Sequence, residues 1–146
     1  MWIFTKAILK GRPIQVFNHG RMSRDFTYID DIIVGVKGAL FAKDLSKQEI
    51  FNLGNHRAEK LLDMISVLAD ALGRRPVLEM AELQPGDVPA TFADIEKARS
   101  KLGFEPVTAI REGIPRFVDW YCDYHQVDRR KGGTLFHEVH EVQFKG

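Results

Sequence analysis

The chain has 146 residues, close to one average domain. It carries 21 Lys plus Arg against 20 Asp plus Glu, a formal charge of +1, which argues against a general binder of nucleic acid or acidic membrane. Its 45% hydrophobic and 28% charged residues are ordinary globular composition, and a chain of this size buries roughly 68% of its extended surface, enough for a real core.

Apolar residues at helical spacing predict a helix over residues 2–10, stopped by Gly11 and Pro13. Ile14 and Val16 alternate with Gln15 and Phe17, a short strand that runs into a turn at Asn18, His19 and Gly20. Residues 25–29 read as extended, with Phe26 and Tyr28 on one face. Asp30 or Asp31 caps the helix that follows, whose apolar positions are Ile32, Ile33, Val36, Ala39 and Leu40. Residues 50–53 read as a strand. The clearest helix spans 59–72, with Leu61, Leu62, Ile65, Leu68, Ala69 and Leu72 on one stripe and Gly73 as its stop.

Residues 76–80 are a further strand, and QPGDVP at 84–89 is a loop in which two prolines flank a glycine. Asp94 caps a short helix that ends before Gly103. Thr108 caps the last helix, striped by Ile110, Ile114, Phe117, Val118 and Tyr121. Helix-like and strand-like segments alternate, so the expected class is α/β. After His125 the character changes, and residues 126–146 are expected to be a flexible tail or an added strand.

Several chemistries have no matching pattern. No glycine run joins a first strand to a helix as a dinucleotide pyrophosphate requires, and no phosphate loop with Lys and Ser or Thr is found. No serine sits in a Gly-x-Ser-x-Gly context. Cys122, the one cysteine, excludes an internal disulfide framework and fits a reducing compartment; inside an amphipathic helix it reads as inert. No apolar run reaches the roughly 18 residues of a membrane span, and MWIFTKAILKGR is not followed by a small-residue cleavage site, so the cytoplasm is the expected location. His137 and His140 are three apart rather than the four of a zinc-binding helix, and no metal site is expected there.

Three carboxylates and one arginine stand out. Adjacent Asp30 and Asp31 point in different directions at a helix start and do not share a proton. Arg24, in SRDFT, either presents its fork to a phosphate or is a surface residue paired with Asp25. Asp87, in a loop of restricted backbone, either accepts ribose hydroxyls or bonds its own turn.

The runs FNHGRMSRDFTYIDDI, FNLGN, LQPGDVPATFADIEKARSKLGFEP and IREGIPRFVDWYCDYH resemble, in order, the C-terminal half of extended short-chain dehydrogenase/reductase epimerases, and most of all the UDP-glucuronate 4-epimerase group of the NAD-dependent epimerase/dehydratase family. The likeness runs from about Phe4 to His125, so residues 1–125 are expected to form a nucleotide-sugar-binding C-terminal portion. It implies that Gln15, Val16 and Phe17 hold uracil, that Arg24 binds the diphosphate with aromatic Phe26 beside it, and that Asp87 contacts ribose. UDP-galactose-type epimerases carry an arginine where this chain has Gln84, as the glucuronate group does.

In the family, a Tyr-x-x-x-Lys pair and an NAD-binding glycine loop lie in the N-terminal half. Neither pattern occurs here, since Tyr28, Tyr121 and Tyr124 are followed four positions on by Ile32, His125 and Asp128. The resemblance therefore implies an α/β substrate-binding portion lacking the N-terminal Rossmann half. It would bind a UDP-sugar, take no cofactor by itself although the complete enzyme uses NAD, and be inactive alone. The alternatives are a non-catalytic UDP-sugar-binding module and a structural protein derived from such an enzyme. On the same likeness, 14–17 and 76–80 share one sheet, while 25–29 and 50–53 lack their usual neighbours. Unpaired edges favour a homodimer or an NAD-binding partner polypeptide.

Overall fold

The computed structural model describes residues 1–128. Its elements in chain order are α1 (Trp2–Leu9), β1 (Ile14–Val16), a short left-handed corner at Phe17–Gly20, β2 (Ser23–Arg24), α2 (Ile29–Phe41), β3 (Glu59–Lys60), α3 (Leu61–Leu72), β4 (Leu78–Met80), α4 (Glu96–Leu102) and α5 (Ile110–Tyr124). The strands make two small sheets. β1 runs parallel to β4, with Ile14 opposite Leu78 and Val16 opposite Met80. β2 runs antiparallel to β3, with Ser23 opposite Lys60 and Arg24 opposite Glu59.

The main core lies between α1, α3, α5 and the β1–β4 pair. Its buried members include Ile8, Ile14, Val16, Met64, Leu68, Leu72, Ile114, Val118 and Tyr121. Leu68 and Val118 are wholly buried, and burial of a side chain of this size contributes about 1.5–3 kcal/mol. A second, smaller core of Ile95, Ala98 and Phe104 packs with Phe51 and Leu53, under α4. α3 and α4 each end on a glycine in the left-handed conformation, Gly73 and Gly103, both at φ 65°. The stripes of α3 and α5 and the stops at Gly73 and Gly103 are those expected of the sequence, whereas the stripe expected of α2 is largely exposed and its buried residues are Asp31 and Gly35.

The strand pairing corrects the expectation of a chain without any of the Rossmann half. A parallel pair requires a long crossover, because the chain must return to the same edge before the second strand can align. β1 and β4 meet that requirement through α2, α3 and the antiparallel β2–β3 pair between them, and this is the construction of Rossmann-type sheets. With the parallel pair present, the descriptions of the chain as a C-terminal fragment only, as an inactive substrate-binding portion, as wholly lacking the element to which a cofactor binds, and as taking no cofactor by itself do not stand. Three-residue strands far apart in sequence leave no local signal of whether they pair in parallel.

Smaller differences have local causes. Residues 25–28 and 50–53 are not in a ladder, so neither is a strand among the described residues. α3 begins at Leu61 because Glu59–Lys60 is engaged with β2. α2 is capped by the backbone of Tyr28, not by Asp30 or Asp31, both of which sit in its first turn, where negative charge is favoured by the helix dipole. Asp31 is buried and turned elsewhere: Oδ2 accepts the N–H of Thr108 at 3.0 Å and Oδ1 that of Val107 at 3.3 Å. Thr108 is thereby fixed ahead of α5, and Ala109 takes the cap position assigned to Thr108. Asp94 does bond into its helix, its Oδ1 accepting from the Glu96 N–H at 3.1 Å.

α2 leaves Ile29, Ile33, Val36, Leu40 and Phe41 exposed. Among the described residues no helix is long and apolar enough to cross a membrane. The expectation for the tail concerns, beyond residue 128, residues outside those described, as does the His137–His140 pair.

Candidate nucleotide-sugar site

The site is built where β1, β2 and the QPGD loop converge. β1 continues beyond its last ladder residue: Val16 accepts the Ala81 N–H at 2.9 Å, and the His19 N–H donates to Ala81 at 3.1 Å. Asn18 and His19 are both left-handed, at φ 49° and 51°, and Gly20 follows at φ 76°. A non-glycine residue in this region is disfavoured by roughly 1–2 kcal/mol. The Asn18 side chain closes the corner by donating Nδ2–H to the Arg21 carbonyl at 2.8 Å. Gly20 is required for a second reason, since a Cβ there would lie 2.7 Å from the Leu62 side chain.

The reversed chain enters β2, which is held on both sides. It pairs with β3 on one side. On the other, the Ser23 N–H donates to Pro89 at 2.8 Å and Thr91 donates to the Ser23 carbonyl at 3.2 Å. This second contact carries the QPGD loop across to Arg24. The loop is a turn in which the Asp87 N–H donates to the Gln84 carbonyl at 3.1 Å. Pro85 and Gly86 occupy its central positions, and Gly86 has φ 88°, the pattern of a type II turn.

Arg24 and Asp87, far apart in sequence, meet here, with Nη2 3.7 Å from Oδ1. Nη1 donates to the Ser23 carbonyl at 2.9 Å and to the Pro89 carbonyl at 3.3 Å. The guanidinium is thus aimed by backbone groups, while its Nη2 side faces the carboxylate. Asp25 is not the partner of Arg24. Its carboxylate accepts the N–H groups of Asn55 at 2.7 Å, His56 at 3.0 Å and Ala93 at 3.0 Å, and the Thr27 hydroxyl at 3.2 Å. Asp25 therefore ties three separate segments together behind the arginine, a role that no local pattern indicated.

The remaining expected residues are distributed unevenly. Gln15 is exposed on β1, opposite Glu79. Val16 is wholly buried, backbone included, and its carbonyl is taken by the Ala81 N–H, so the structure does not present it to a ligand. Phe17 is half-buried at the start of the corner. Phe26 packs against the main core. Gln84 is exposed, and its carbonyl is used in the turn. One residue pair was missed: His19 Nε2 lies 2.9 Å from Glu82 Oε1, fastening the start of the loop to the left-handed corner. The hydrogen bond with His19 holds the Glu82 carboxyl below the usual carboxylate range.

The chain is an α/β protein in which an arginine on β2, downstream of β1, and a carboxylate in the loop after β4 form a polar corner. Residues 2–54 match the family model described as the NAD dependent epimerase/dehydratase family. It is 37% identical over 145 residues to UDP-glucuronate 4-epimerase 2 of Arabidopsis thaliana, covering 89% of this chain and 33% of the relative. It is 35% identical over 139 residues to Protein CapI of Staphylococcus aureus, covering 84% of this chain and 42% of the relative. Among solved structures it is similar to UDP-glucuronic acid 4-epimerase from Bacillus cereus in complex with UDP-glucuronic acid and NAD, at TM-score 0.71 and 31% identity over 81% of this chain and 38% of that one. The chain thus spans less than half the length of these relatives.

The matched family model is described as NAD dependent. The turn that leaves β1 opens into β2 rather than into a helix, and its one glycine is packed against Leu62. A pyrophosphate seated on a helix N-terminus does not fit that strand end, and no dinucleotide contact is assigned to it.

Proposed function

We propose that this chain serves NAD-dependent epimerase/dehydratase chemistry on nucleotide sugars, with the Arg24–Asp87 corner as the place where the nucleotide diphosphate is held. The observation that carries the proposal is the 3.7 Å approach of Arg24 Nη2 to Asp87 Oδ1 across the bridged β2 edge. Arg24 supplies a planar, permanently charged fork that suits phosphate oxygens, and its two backbone hydrogen bonds reduce the entropy lost on binding. Asp87 supplies an acceptor for ribose hydroxyls. Gln15 on β1 and Phe17 at the start of the corner are the proposed base contacts, with Gln84 and Phe26 at the margins of the site. The relatives that carry UDP-glucuronate in their names support a UDP-sugar as the ligand.

The test is calorimetric titration of the chain with UDP. Arg24→Ala is expected to weaken UDP binding by roughly 10- to 100-fold, the loss of a charge-assisted contact of about 1.5–3 kcal/mol. Uridine binding should change little. Equal UDP affinity before and after the substitution removes the assignment. We further propose that the exposed apolar face of α2 is covered by association into a homodimer, which light scattering reads directly. The setting proposed is the cytoplasm, consistent with a single, buried cysteine.

A further inference from the structure

We infer that Asp87 is an internal occupant of the phosphate position on Arg24, displaced when a diphosphate arrives, so that the QPGD turn moves off the arginine as the ligand takes its place. The inference rests on the reading of Arg24 as the diphosphate ligand and adds to it how the site is held before binding.

The geometry suits displacement. The separation of 3.7 Å is well beyond the 2.7–2.9 Å of a charge-assisted N–H···O bond, so carboxylate and guanidinium attract across the gap without a tight hydrogen bond. Both side chains are partly exposed, at 27% and 38%, which screens the attraction. Arg24 does not depend on Asp87 for its position, because Nη1 is held by the carbonyls of Ser23 and Pro89. The fork therefore stays aimed when the carboxylate leaves.

The turn is also free to move as a unit. Residues 82–90 are all exposed. The turn closes on itself through the Asp87 N–H and the Gln84 carbonyl, and a Cβ at Gly86 would meet no atom within 4 Å. Its two ends are anchored separately, at Glu82 by His19 and at Pro89 by Ser23. The segment between these anchors can shift while β2 and β4 keep their pairing. A diphosphate brings more negative charge and more acceptor oxygens than one carboxylate, and it outcompetes Asp87 at the same fork. The released carboxylate is then available to ribose hydroxyls.

The test measures inorganic pyrophosphate and uridine binding by calorimetry, with UDP as reference, for the full chain and for Asp87→Asn, Asp87→Ser and Glu79→Gln. Glu79 is an exposed carboxylate on β4 outside the ion pair and reports the general effect of removing one negative charge. Asp87→Asn and Asp87→Ser are expected to bind pyrophosphate about two- to fivefold more tightly, the range that loss of a partly exposed ion pair allows, and to bind uridine more weakly. Glu79→Gln is expected to match the unsubstituted chain. Unchanged or weaker pyrophosphate binding in both Asp87 variants overturns the inference. So does equal tightening in Glu79→Gln, which would be a charge effect alone. Loss of UDP affinity in Arg24→Ala combined with either of those results leaves the diphosphate reading standing and removes only the displacement. No pyrophosphate binding by any of the proteins overturns both.

Discussion

The Asp31 carboxylate and the Thr108 backbone, 77 residues apart in sequence, are joined by a 3.0 Å hydrogen bond in the interior of the protein. The bond fastens the first turn of α2 to the segment that launches α5. One buried carboxylate accepts both the buried Thr108 N–H and the part-buried Val107 N–H ahead of α5.

Asp31→Ala is therefore expected to destabilise the fold by about 2–3 kcal/mol, since it removes a charged acceptor and leaves buried donors unpaired. Asp31→Asn retains one acceptor and should cost about 1 kcal/mol. Urea denaturation of the three proteins checks both values. Equal midpoints for all three would show that the bond contributes nothing net.

Asp25 performs the same service on the other side of α2, for Asn55, His56 and Ala93. Asp25→Ala should destabilise by about 2–3 kcal/mol. Amide hydrogen exchange is the sharper measurement, because those three N–H groups should lose protection before the helix α3 amides do.

Gly54 stands in this junction for a steric reason. A Cβ there would lie 2.4 Å from the Ala93 Cβ and 2.9 Å from Asp25 Oδ2. Gly54→Ala must push apart two segments that Asp25 draws together, at a cost of about 1–3 kcal/mol. A thermal melt reads the loss. Gly86→Ala, in contrast, meets no neighbouring atom, and only its φ of 88° opposes it.

Glu49 provides a pH signature. Its carboxylate accepts Lys101 Nζ at 2.8 Å on both oxygens and the Ser46 N–H at 2.8 Å, with Lys97 Nζ 3.2 Å away. These partners, Lys101 foremost and the Ser46 N–H next, hold its pKa at about 2, against an ordinary value of 4.5. A carboxyl whose pKa is depressed on folding stabilises the native state above the unfolded pKa and loses that contribution as pH falls. The expected loss runs from pH 4.5 down to about 2. Glu49→Gln should flatten this part of the curve of urea midpoint against pH. An identical acid limb in the variant would remove Glu49 as its cause.

The amino-acid order alone determined the helices and the glycine stops of α3 and α4, but not where the helices begin. A stripe such as Leu61, Ile65, Leu68 and Leu72 repeats within a few turns, and Gly73 and Gly103 stop their helices through a backbone conformation that glycine adopts without a steric penalty. The turn at residues 84–87 was legible for the same reason, because Pro85 and Gly86 impose it locally. Arg24 and Asp87 were legible one at a time, as members of motifs.

Only the tertiary structure decided what these residues meet. The family likeness implied that residues 14–17 and 76–80 share a sheet, as β1 and β4 do, but that they run parallel depends on the whole crossover between them, which three-residue strands do not record. Asp25, between Arg24 and the aromatic Phe26, has no local mark distinguishing a surface carboxylate from one that gathers three backbone amides. The approach of Asp87 to Arg24 likewise follows from the bridging of Ser23 to Ala90. Periodicity and turn chemistry act over a few residues, whereas the choice of hydrogen-bond partner is settled by which distant segments the core brings within about 3 Å.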